Sequence, residues 1–133
     1  TGYIDKANEE KVIAECRMAT MAAQTEASVL YGKMVNGADL TSATAADLNT
    51  AAAEAIKLAE YQKDANVEVT ATLAANGAVT QVVYSDRTYT CTYENSTYTT
   101  KKKDSAANTT KTFKITVTGG ETGSANMPAT AKP

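Results

Sequence analysis

The residues best equipped for chemistry in this 133-residue chain are few: two cysteines, Cys16 and Cys91, the run Lys101-Lys102-Lys103, and scattered acids. Histidine is absent, which removes the usual general base, the commonest metal ligand and every Ser-His or Cys-His pair. The cysteines are too far apart to form a Cys-x-x-Cys redox pair, and two thiolates alone do not close a tetrahedral zinc site. Two readings of them remain, a disulfide or a pair of buried thiols. Glu9 and Glu10 are neighbours on a helix and point in different directions, unlike carboxylates facing each other across a glycosidase cleft. The chain is therefore expected to be no enzyme and to carry no cofactor and no metal.

The lysine run, with Lys111 and Lys114 after it and Tyr98 before it, is the one candidate ligand patch. Lysines there would neutralise phosphates and Tyr98 would stack on a base, as a DNA-contacting surface requires. The competing reading, which the pattern favours, is a charged strand end that discourages edge-to-edge pairing. A net charge of −2 argues against a general nucleic-acid binder. Tyr84, Tyr89, Tyr93 and Tyr98 would offer a carbohydrate or aromatic surface if exposed, but the strand register below turns them inward as core. Asn95-Ser96-Thr97 and Asn108-Thr109-Thr110 match the glycosylation sequon and are read as chance, threonine being abundant. Met127-Pro128-Ala129-Thr130-Ala131 only distantly matches a sortase sorting signal.

These residues must be positioned by elements that the periodicity outlines. From Gly2 to about residue 35 no proline occurs, and no glycine until Gly32, so one long helix is expected. Ile13, Cys16, Thr20, Ala23, Ala27, Leu30 and Met34 form its packing seam. Its first turns, Asp5-Lys6-Ala7-Asn8-Glu9-Glu10-Lys11, are charged nearly all round, so this end is expected to project. Thr44 and Asp47 read as a capping box opening a second helix over 45–62, with Leu48, Ala52, Ala55, Ile56 and Ala59 on its stripe. After Asn66 the period becomes 2. Turns at Asn76-Gly77, Asp86-Arg87 and Asn95-Ser96 would pair Val69 with Tyr84, Ala71 with Val82, Leu73 with Thr80, Tyr84 with Tyr89, Val82 with Cys91 and Tyr93 with Tyr98. All of these lie on one face, which a one-residue slip would invert. Phe113, Ile115 and Val117 point inward from a last strand, and residues 119–133 read as a loose tail or a packed loop. The expectation is one α+β domain: two helices packed on a four- or five-stranded antiparallel meander over 67–118, with Cys16 and Cys91 meeting between the layers.

The opening Gly2-Tyr3-Ile4-Asp5-Lys6-Ala7, followed by a long alanine-rich helix of mixed charge, resembles type IV pilins just downstream of their hydrophobic N-terminal segment. The helix-to-meander order is similar to a pilin head. The chain departs from familiar Gram-negative pilins in its second helix, its lack of tryptophan and its lack of a cysteine pair bracketing a C-terminal loop, which leans toward a Gram-positive or clostridial type. The resemblance implies a structural subunit of an extracellular, cell-surface filament serving adhesion, motility or DNA uptake, anchored in the cytoplasmic membrane before assembly by an upstream apolar half-helix. Its partners would be copies of itself, other pilins and the pilus assembly machinery. Lys6, Glu9, Glu10 and Lys11 are the residues expected at filament contacts. The alternative is a minor pilin or a secretion or competence pseudopilin that binds DNA or a surface through Lys101, Lys102 and Lys103. Asp104 and Glu121 are too sparse for the calcium site of major secretion pseudopilins.

Overall fold

An uninterrupted stretch of good helix formers becomes one rod. In the computed structural model, which describes residues 2–61, 66–104 and 108–128, helix α1 runs Gly2–Lys33, about 48 Å at 1.5 Å per residue. A short 3-10 turn, Leu40–Ser42, leads to α2, Ala45–Leu58. Thr44 and Asp47 form the expected capping box, each side chain accepting from the other's backbone N–H at 3.1 and 3.2 Å. The second helix stops short of the expected residue 62, which lies outside the described residues. Glu60 takes the left-handed conformation (φ 59), and the Tyr61 N–H bonds the carbonyl of Ile56, a Schellman-type closure that terminates the helix.

Six strands follow: β1 (Glu68–Leu73), β2 (Val79–Ser85), β3 (Tyr89–Glu94), β4 (Thr97–Lys102), β5 (Thr112–Val117) and β6 (Thr122–Asn126). Their order is β4-β3-β2-β1-β5-β6. The first four make the expected meander. The antiparallel meander of four or five strands is nonetheless the wrong sheet for the whole chain: β5 crosses over and pairs parallel to β1, with Val69 beside Phe113 and Leu73 beside Val117, and β6 extends that side. The physical reason is cover. Helix α1 lies over β2, β3 and β4, whereas α2 lies over β5 and β6, so Phe113, Ile115 and Val117 bury under α2 beside Val69, Ala71 and Leu73. Strand β6 also corrects the expected loose tail or packed loop, since Thr-Gly-Ser-Ala-Asn is an edge strand, and Met127 after it is buried.

The turns carry two further corrections. Gly77 (φ 92) rather than Asn76 supplies the left-handed residue, Ala74 and Ala78 close a three-residue loop, and a bulge after Thr72 sets Leu73 opposite Val79 instead of Thr80. At the next turn the Asp86 carboxylate accepts the N–H groups of Thr88 and Tyr89. That moves the turn to Arg87-Thr88 and pairs Tyr84 with Cys91 and Val82 with Tyr93. The slip is two residues, so every side chain keeps its expected face. Asn95 and Ser96 both have positive φ, and Tyr93 pairs with Tyr98 as expected.

The result is two layers, helices on one face of the sheet and a threonine-rich opposite face half-open at Thr70, Thr72, Thr90, Thr92 and Thr116. The core between layers is built from alanines of both helices against Val82, Tyr84, Tyr89, Cys91, Phe113 and Ile115.

Candidate functional site

The most distinctive surface is the start of α1. Gly2, Tyr3 and residues 5–11 are exposed, Tyr3 at 94%, and Val12 is the first buried residue among those described. Roughly 15 Å of helix therefore stands clear of the body. The cause is in the sequence: a turn charged on every side has no stripe to bury. Lys6, Glu9, Glu10 and Lys11 all lie on this projection, and no ion pair joins them among the described residues. Two positive and two negative side chains thus face outward. From Val12 on, Cys16, Ala19, Ala23, Ala27 and Leu30 are buried at helical spacing. Alanine lets the sheet and α2 approach closely.

A second feature was not visible in the chain order. Met21, Val29 and Leu58 remain exposed, and Met18, Met21, Ala22 and Thr25 of α1 form with Leu58 of α2 an open, mainly apolar groove. Met21, Thr25 and Val29 do recur every fourth residue, which was the available signal. Leu58, more than thirty positions away, completes the groove only because α2 packs alongside.

Cys16 and Cys91 meet as expected between helix and sheet, both wholly buried and unbridged. The Cys16 thiol lies 3.6 Å from the Cys91 carbonyl oxygen. The neighbouring Cys91 thiol, together with burial, pushes the Cys16 thiol up and keeps it protonated. Nearby, Tyr61 donates to the Glu15 carbonyl at 3.0 Å, and burial holds its phenol far above its ordinary value.

The lysine run is dispersed rather than assembled. Lys101 and Lys102 are exposed but alternate to opposite faces of β4. Lys103 turns inward, its ammonium donating to the Asp86 carbonyl at 2.7 Å and to Asn108 Oδ1 at 2.8 Å. The same Asn108 donates from Nδ2 to the carbonyls of Ser85 and Asn66, so its amide is a fastening of the fold. Of the tyrosines, Tyr84 and Tyr89 are buried, while Tyr93 and Tyr98 are half-buried, 5.0 Å apart between ring centroids, with the Arg17 guanidinium 5.2 Å from the Tyr98 ring.

Among the described residues no group of three or more Cys, Asp or Glu is placed to hold a metal ion, and no helix is long and apolar enough to cross a membrane. What the surface offers is contact through shape and charge. Comparison with protein-family models, with characterised proteins and with solved structures gave no match to this chain.

Proposed function

We propose that this chain is the head of a type IV pilin, a structural subunit of a helical filament on the bacterial surface. The observation that carries the reading is the helix gripped by the body from Val12 to Leu30 but exposed at Gly2, Tyr3 and residues 5–11. A rod that is half clamped and half free suits lateral packing against neighbouring rods. Head-to-tail contacts between unlike surfaces produce an open filament when the rotation does not close. Lys6, Glu9, Glu10 and Lys11 would then pair across subunits, and adhesion, motility or DNA uptake would be exercised by the assembled fibre. The subunit would start in the cytoplasmic membrane, held by an apolar segment continuing α1 upstream, and be moved outward by the assembly machinery. The six-stranded mixed sheet departs from the meander that the resemblance implies, so the reading rests on the rod and not on the sheet.

The test uses the full-length protein in cells. Reversing Lys6 and Lys11 to Glu should reduce filament number in electron micrographs by about tenfold or more, since like charges set opposite one another cost several kcal/mol. Adding Glu9→Lys and Glu10→Lys should restore them. Filaments unchanged by the first pair of reversals would overturn the assignment of these contacts. The rival reading, a minor pilin or pseudopilin that binds DNA through Lys101, Lys102 and Lys103, is weakened by the dispersal of those side chains. A gel-shift titration at low salt separates the two.

A further inference from the structure

We infer that Cys16 and Cys91 are a cross-linking site, closing into a disulfide that staples α1 to the middle of the sheet when the chain folds in an oxidising environment. The inference stands apart from the filament reading, because it needs only the packing of α1 on β3.

Three observations converge. Cys16 sits on the buried face of α1, one helical turn inside Val12, the first residue the body grips. Cys91 sits on the inward face of β3, paired with Tyr84 on one side and Thr100 on the other. The sulfur of Cys16 lies 3.6 Å from the carbonyl oxygen of Cys91, and both cysteines are wholly buried. A helix residue and a strand residue 75 positions apart are thus brought into contact.

The location gives the bond a purpose. The exposed first turns of α1 are a lever, and any pull on them would peel the helix from the sheet starting at Val12. A covalent link one turn further in stops that peeling at its origin. On the α1 side this part of the core is built largely from Ala19, Ala22, Ala23 and Ala27, small side chains that offer little area with which to resist.

The chemistry is thiol–disulfide exchange with an external disulfide such as oxidised glutathione. One cysteine thiolate attacks that disulfide and releases one glutathione thiolate. The second cysteine thiolate then displaces the remaining glutathione, so the protein loses two protons and two electrons and the external disulfide becomes two thiols. Because both sulfurs are inaccessible in the folded protein, the exchange takes place before α1 has docked.

The experiment refolds the 133-residue chain in a mixture of oxidised and reduced glutathione, then denatures it, alkylates free thiols and measures intact mass. The expected product is lighter by two hydrogens, takes up no alkyl group and yields a peptide pair joined through Cys16 and Cys91. Its Tm should exceed that of the same protein in dithiothreitol by about 10 °C, as a loop of this length implies. Cys16→Ser and Cys91→Ser variants should melt at the same temperature with and without reductant. Two alkylatable thiols after oxidising refolding, or a cross-linked form that melts no higher than the reduced one, would overturn the inference.

Discussion

Gly123 tests the least expected part of the fold, the seating of α2 on β6. A Cβ added there would lie 2.5 Å from Asn49 N, Leu48 C and Leu48 Cβ, more than about 1 Å inside ordinary contact. Two of the three atoms are helix backbone, so no rotamer change relieves the clash and the first turn of α2 must lift. Overpacking of this kind costs about 1–3 kcal/mol, and the upper part of that range applies because backbone is in the way. Lifting also strains the hydrogen bond from Ser124 N to Asn49 Oδ1, 2.8 Å long, worth about 1 kcal/mol. Alanine's lower backbone entropy in a strand returns at most about 1 kcal/mol. Gly123→Ala should therefore destabilise by about 3 kcal/mol. With an unfolding entropy of about 2.1 cal/mol/K per residue, that lowers Tm by roughly 10 °C. Circular dichroism melting measures it, with Gly32→Ala as control, since nothing lies within 4 Å of Gly32 and the helix should gain slightly. A Gly123→Ala protein that melts within about 2 °C of the parent would refute the packing of α2 on β6.

Glu26 is buried between the helices, and its carboxyl is raised above the ordinary value first by burial and then by Glu54, with Lys33 pulling the other way. The folded protein holds that proton more tightly than the unfolded chain does, so stability falls as pH climbs from the ordinary glutamate range through the raised value. Glu26→Gln should raise Tm at about pH 7 and leave it nearly unchanged at about pH 3, where both proteins are neutral at this position; an equal gain at both pH values would contradict the assignment. Lys103→Met removes two charge-assisted hydrogen bonds and should cost about 1.5–3 kcal/mol in urea unfolding, whereas Lys101→Met should stay within about 0.5 kcal/mol. Equal effects would mean that Lys103 does not fasten the loop.

What could be read from the chain was what neighbours in sequence decide. The absence of breakers makes α1 one rod, Thr44 and Asp47 start α2 three residues apart, and alternation places Val69, Ala71, Tyr84, Tyr89 and Cys91 on one face. The projecting end was legible for the same reason, since seven consecutive mostly charged residues leave no face to bury. Local chemistry could also be misread locally. The Asp86 carboxylate moved a turn by one residue and the strand pairing by two, and only the period-2 rule protected the faces.

The remainder was settled by partners distant in the chain. Nothing in Phe113, Ile115 and Val117 distinguishes the free edge of β4 from the free edge of β1, because either offers the same backbone hydrogen bonds. The choice fell to β1 because α2 covers that side, and only the packed molecule places α2. The same holds for β6, whose small residues look like a tail until Gly123 is found beneath Leu48 and Asn49. It holds too for the groove that Leu58 completes and for Lys103, drawn inward by Asp86 and Asn108. Periodicity and capping act over a few residues and leave their mark in the sequence, whereas the burial of one element against another depends on which surfaces the whole chain brings together.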